Sequence, residues 1–219
     1  MVKRRPSSHR WLREHHSDPF VLQARREGYR SRAAFKLTEI ASLPLGNNGK
    51  PFLGPGMTVV DLGSAPGGWS QVAVGLVGDR GRVVAMDLLS MPPLEGVVFI
   101  QADFLGEEGL QLLTRAIHPS GRVDVVLSDM APNMTGIAAA DQTRGELLAE
   151  AAHDFARLVL AVGGALVVKL FQGPGFHETV RRARLDFERV KVVKPKASRD
   201  RSAEQYLVGV GFRGGISEQ

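Results

Sequence analysis

Apolar and polar positions along the chain follow two rhythms. The runs TVVDLG (58–63), RVVAMD (82–87), VVFIQAD (97–103), DVVLSD (124–129) and ALVVKLF (165–171) are short, apolar and rich in β-branched residues. They read as strands buried on both faces. Between and around them, apolar residues recur at helical spacing and predict helices over 31–42, 68–77, 107–117, 141–161 and 176–187. Two more strands are predicted near 190–193 and 205–210. Ser31 stands where a helix cap is expected, and the Gly, Asn and Pro content of 43–56 marks a loop. Strands alternating with helices predict an α/β protein with a Rossmann-like fold: a mostly parallel seven-stranded sheet with helices on both faces. Such sheets bind ligands outside the carboxyl ends of their strands.

Polar residues gather at those ends. Asp61, Asp87, Asp103, Asp129 and Lys169 each close or follow an apolar run. A buried lysine needs a partner or a task. Lys169 is therefore expected at a strand mouth, facing a cleft. The turn DLGSAPGGWSQ (61–71) links a strand to a helix, with Gly63 suited to a tight bend and Gly67 and Gly68 to close approach of a ligand. The dinucleotide pattern G-x-G-x-x-G is absent. Glycines that make room without cradling a pyrophosphate suit an adenosyl ligand lacking phosphates, and S-adenosylmethionine is one. Asp87 is placed to accept hydrogen bonds from ribose hydroxyls and Asp103 from the adenine amino group.

Composition narrows the field. The 219 residues, 43% hydrophobic and 23% charged, are ordinary for one soluble domain. The absence of cysteine excludes disulfides, thiolate nucleophiles and Cys-based zinc sites. The adjacent His15 and His16 lie in a basic arm and are read as solvated or phosphate-contacting, so no metal is expected. The net charge of +5 conceals a division. Residues 1–32 hold nine Lys/Arg against three Asp/Glu, residues 181–201 hold nine against three, and residues 33–180 hold nine against fifteen. Two basic segments flanking an acidic body point to a polyanionic partner. No secretory pattern or membrane-spanning run is visible, so a cytoplasmic location is expected.

Several blocks carry a more specific resemblance. DLGSAPGGWSQ, LSDMAPNMTG (127–136), VVKLFQG (167–173) and SAEQY (202–206), with SRAAFKL (31–37) and the HRWL and DPF segments before it, are similar to the FtsJ/RrmJ (RlmE) family of ribosomal RNA 2′-O-ribose methyltransferases. The resemblance runs from about residue 9 to residue 210. It implies the S-adenosylmethionine-dependent methyltransferase fold and a catalytic tetrad at Lys36, Asp129, Lys169 and Glu204, with Lys169 as proton acceptor. It implies S-adenosyl-L-methionine as cofactor, bound by Gly67, Trp69, Asp87, Asp103 and Asp129. The implied substrate is large-subunit ribosomal RNA, at a uridine of the A loop, within the large subunit or its precursor. The loop at 43–56 is longer than usual in the family, and Ser64 replaces a common Ala. The expected organisation is a basic arm (1–30), one methyltransferase domain (31–212) and a tail (213–219), acting as a monomer.

The chemistry can be stated from first principles. A ribose 2′-oxygen attacks a sulfonium methyl in line only if a base takes its proton. Lys169 is the candidate base, with Asp129 and Glu204 orienting lysine and hydroxyl. The basic segment 191–206 and the arm are candidate RNA grips, and Trp11, Phe20 and Tyr29, interleaved with the arm's basic residues, are expected either to stack on bases or to anchor the arm to the domain. Carbon-5 pyrimidine methylation is disfavoured by the missing cysteine, and amine methylation by the lack of an aromatic after Asp129–Met130–Ala131–Pro132. The alternatives left open are an RNA-binding ribosome-assembly factor with little or no catalysis and a small-molecule O-methyltransferase.

Overall fold

The computed structural model describes residues 18–118, 121–133, 135–199 and 202–214. The apolar runs form one sheet of β1 (Thr58–Leu62), β2 (Arg82–Asp87), β3 (Val97–Gln101), β4 (Val123–Ser128), β5 (Leu160–Phe171), β6 (Phe187–Val193) and β7 (Glu204–Phe212). Their order is β3-β2-β1-β4-β5-β7-β6. The first five are parallel, and β7 runs antiparallel to both β5 and β6. The chain winds outward from β1 to β3, then returns to place β4 on the other side of β1. The crevice above the carboxyl ends of β1 and β4 is therefore the topological switch point, where such sheets bind ligands.

The helices are α1 (Pro19–Arg26), α2 (Ala33–Ala41), α3 (Gly68–Val77), α4 (Glu107–Ile117), α5 (Ala138–Val159) and α6 (Phe176–Asp186). Alternation along each strand divides the core in two. Val60, Leu62, Val84, Val126, Leu166 and Val168 pack against Leu113 of α4, Phe155 of α5 and Val180 of α6. The alternate residues Val59, Val83, Val125, Leu127, Ala165, Val167 and Val208 pack against Ala34, Leu37 and Ile40 of α2 and Trp69 and Ala73 of α3. Both faces are covered, which is why the strands read as continuous apolar runs.

Four details depart from the expected pattern. Ser31 does not cap α2 with its hydroxyl; its carbonyl accepts from the Ala34 N–H instead. α5 stops at Val159 and β5 begins at Leu160, earlier than the apolar pattern suggests. The β4–β5 register jumps there, with Val123 opposite Leu160 but Val125 opposite Ala165, and Gly163 takes a φ of +85° within the extra residues. α1 falls in the basic arm, where no helix is predicted. Asp18 caps it by accepting from the Phe20 N–H at 3.0 Å, Pro19 opens it, and Val21 and Ala24 bury its inner stripe. Phe20 and Tyr29 pack on Phe35 of α2, with ring centroids 5.8 and 5.4 Å away. These two aromatics anchor the segment to the body. Trp11, His15 and His16 lie outside the described residues. No helix among the described residues is long and apolar enough to cross a membrane.

Candidate active site

Period-two alternation, continued past the last apolar residues, builds the site. Val59 leads to Asp61, Val125 and Leu127 lead to Asp129, and Ala165 and Val167 lead to Lys169, all on the face covered by α2 and α3. Ser128 pairs with Val168, so Asp129 and Lys169 are next in the same register. Lys169 lies opposite Tyr206 across the antiparallel β5–β7 pair. Asp129, Lys169 and Tyr206 thus form one row across three adjacent strands. Glu204 lies two residues before Tyr206 and shares its face.

Lys36 reaches this row from α2. The contacts form a continuous chain. The Lys169 ammonium meets Asp129 Oδ1 at 2.6 Å and donates to the Asp129 carbonyl at 2.9 Å. The Tyr206 hydroxyl donates to Asp129 Oδ1 at 2.7 Å and accepts from Lys36 Nζ at 3.0 Å. Lys36 also pairs with Glu204 Oε1 at 2.7 Å. Lys36 and Lys169 are each only 8% exposed. All four residues that the resemblance nominated as catalytic converge, linked by a tyrosine that sequence reasoning left unmarked.

Charge balance holds the row together. Burial pushes the Asp129 carboxyl up, but Lys169 and Lys36, aided by the Tyr206 hydroxyl, hold it below the ordinary carboxylate range. Burial and the neighbouring Asp129 and Glu204 push the Tyr206 phenol well above its usual value, so it stays neutral and can donate. Replacing it tests the link. Tyr206→Phe keeps the ring against Trp69, at a centroid distance of 5.5 Å. It removes one hydrogen bond from each of two charged groups, so a loss of about tenfold in the single-turnover transfer rate is expected. An unchanged rate would show that Lys36 and Asp129 keep their poses without it.

The cofactor candidates surround the β1–α3 turn. Gly67 has a φ of +107°, which L side chains rarely adopt, and opens α3. The helix start leaves N–H groups free for a carboxylate. The Trp69 indole is 2% exposed and donates to the Ala33 carbonyl at 2.9 Å. Its ring therefore joins α3 to α2, and its backbone is what remains for a ligand. Asp87 accepts from the Ala65 N–H and the Leu89 N–H, each at 2.8 Å, and Asp103 accepts from the Leu105 N–H at 2.9 Å. These bonds fix the carboxylates while leaving lone pairs for hydroxyl or amino donors. Asp61 does not stand at the rim as its strand-end position suggested. It is fully buried, accepts from Ser70 Oγ at 2.6 Å, and its other oxygen has no partner. Ser31 Oγ and Ser64 Oγ are also buried and unsatisfied beside this turn. Free helix N–H groups, fixed carboxylates and orphaned polar atoms form a donor and acceptor set that fits an adenosyl group carrying an amino-acid end.

The two basic segments meet in space. Arg32 pairs with Asp18 and donates to the Ala197 carbonyl, while Arg199 lies 3.7 Å from Asp18. Glu39 accepts from the Lys196 N–H at 2.8 Å. Among the described residues, Arg32 of the first basic segment and Lys196 and Arg199 of the second therefore lie together at the α2 side of the sheet.

Comparison with known proteins agrees with this architecture. Residues 29–212 match the model of the FtsJ-like methyltransferases. The chain is 58% identical to the Ribosomal RNA large subunit methyltransferase E of Magnetococcus marinus, covering 98% of this chain and 100% of that protein. It is 52% identical to the protein of the same name from Methylobacillus flagellatus, over 97% of this chain and 99% of that one. A crystal structure from Plasmodium falciparum, described as a ribosomal RNA methyltransferase, superposes with a TM-score of 0.70 at 25% identity, covering 85% of this chain and 100% of that one. The chain belongs to the FtsJ-like methyltransferase family, whose enzymes use S-adenosyl-L-methionine.

Proposed function

We propose that this protein methylates a ribose 2′-hydroxyl of large-subunit ribosomal RNA, at a uridine of the A loop, during ribosome assembly. The observation that carries the reading is the hydrogen-bonded row Glu204–Lys36–Tyr206–Asp129–Lys169 at the mouth of the switch-point crevice. S-adenosylmethionine supplies an electrophilic methyl group on a sulfonium. Lys169, as its free amine, would take the proton that the attacking 2′-oxygen must lose. Asp129 orients the Lys169 amino group and, through Tyr206, fixes the distance between Lys169 and Lys36. Lys36, held by Glu204, places positive charge beside the developing alkoxide. Gly67, Trp69 through its backbone, Asp87, Asp103 and Asp129 hold the cofactor.

Relatives at 58% and 52% identity that carry the name of a ribosomal RNA large subunit methyltransferase support the substrate class. The two basic segments, which meet at Arg32, Lys196 and Arg199, support an RNA partner. Residues 31–212 act as the catalytic domain, the basic segment 1–30 serves as an arm whose part from Asp18 onward docks on that domain, 213–219 form a tail, and the protein works as a monomer in the cytoplasm. Mapping 2′-O-methylation across ribosomal RNA from cells with and without this protein tests the reading. The expected result is loss of one A-loop uridine modification, restored by the wild-type protein. An unchanged map would overturn it.

A further inference from the structure

Arg30 belongs to the basic segment that sequence composition assigns to RNA, yet its guanidinium is already engaged. Nη1 donates to the Pro92 carbonyl at 2.7 Å and the Pro66 carbonyl at 3.3 Å, and Nη2 donates to the Pro93 carbonyl at 2.6 Å. Pro66 lies in the β1–α3 turn, and Pro92 and Pro93 lie in the loop that follows Asp87. Arg30 thus bridges the two loops that carry Gly67 and Asp87. The same loops are joined from the inner side by Asp87, which accepts from the Ala65 and Leu89 N–H groups. Arg30 itself is seated on α3. Its N–H donates to Gln71 Oε1 at 3.0 Å, and Gln71 Nε2 donates to the Gly28 carbonyl at 2.9 Å. The packing under the bridge is close: a Cβ on Gly67 would lie 2.8 Å from Met91 Sδ and 2.9 Å from Arg30 Cδ.

We propose that Arg30 is a positioning residue of the cofactor site, a latch that holds the β1–α3 turn and the β2–β3 loop together at the spacing the bound cofactor needs. This rests on the reading of the crevice as the S-adenosylmethionine site. Arginine suits the task because its planar fork presents several donors in fixed directions, so one side chain satisfies three carbonyls on two loops. A lysine, as a single point donor, can reproduce part of that. Holding the loops in the bound arrangement before the cofactor arrives lowers the ordering cost of binding. Without the latch that cost falls on the cofactor, so cofactor affinity drops. The RNA-facing groups Lys36, Lys169 and Glu204 keep their contacts and are unaffected.

Calorimetric titration of S-adenosyl-L-methionine into the full chain, in the absence of RNA, tests the latch. Arg30→Ala is expected to raise the Kd about tenfold, the effect of losing one or two charge-assisted hydrogen bonds. Arg30→Lys is expected to fall between Ala and wild type. In steady-state assays KM for the cofactor rises while kcat at saturating cofactor and KM for RNA stay within about twofold of wild type. Equal cofactor affinity, or a defect confined to KM for RNA, overturns the latch and returns Arg30 to the RNA surface. If the Ala variant fails to fold, the Lys variant decides alone, since wild-type affinity there overturns the proposal and an intermediate one supports it. Failure of the wild-type chain to bind the cofactor would instead overturn the reading of the crevice.

Discussion

Lys169→Ala transfers methyl groups to RNA about 10³-fold more slowly than the wild type, the middle of the range for losing a positioned general base. The expectation follows from the contacts. Lys169 Nζ is fixed by Asp129 Oδ1 at 2.6 Å and by the Asp129 carbonyl at 2.9 Å, at the end of a buried row that otherwise survives its removal. In the variant, Asp129 still accepts from Tyr206, so cofactor affinity should change little. Lys169→Arg separates two roles that alanine confounds. A guanidinium keeps the positive charge but does not give up its proton in proteins. If Lys169 serves as the proton acceptor, the Arg variant is as slow as the Ala variant. Should it serve only as a fixed charge, the Arg variant retains most of the rate. Single-turnover transfer with enzyme in excess reads the chemical step directly, and a near-wild-type rate for Lys169→Ala would remove the residue from the chemistry.

Much of this site could be read from the chain because strand periodicity is rigid. Once VVKLF is recognised as a strand, Lys169 must share a face with Ala165 and Val167, and the apolar run shows which face that is. The same counting places Asp129 beside Leu127. The family blocks then add Lys36 and Glu204, which no local rule would bring together, since their partners lie far along the sequence. Tyr206 escaped because an aromatic residue in a strand has a sufficient role as core, and it does pack on Trp69. Its spacing of two from Glu204 was the available signal. Trp69 shows how block and side chain differ. Its block is similar to the family's cofactor turn, but the indole itself is committed to Ala33. Arg30 was legible only as charge, because the three carbonyls that engage it come from loops with no periodic pattern. α1 was missed although Asp18–Pro19 is a cap followed by a favoured first helical residue, since eight residues give periodicity little length to register.

Asp61→Asn should change the pH dependence of folding more than any other single substitution in the crevice. The Asp61 carboxyl is fully buried with Ser70 as its one hydrogen-bond partner, and burial, with the nearby Asp129 and Asp87 adding to it, pushes it up to about 7. In the unfolded chain an aspartate titrates near 3.9. Between those values the folded protein holds a proton that the unfolded chain has released, so stability is full below about pH 4 and falls as pH rises toward 7. The fall amounts to roughly 4 kcal/mol, about three pH units at 1.36 kcal/mol each. Asparagine cannot titrate, so the variant lacks this decline and gains on the wild type by that amount between pH 4 and pH 8. Asp129 does not obscure the comparison. Its carboxyl is held below the usual range, so its contribution is present above about pH 4 and is lost only on further acidification. Urea unfolding of both proteins without cofactor, at pH 4.5, 6 and 8, measures the difference. A gap between the two proteins that stays constant across that range would mean Asp61 remains ionised in the fold, with its unpartnered oxygen satisfied by water.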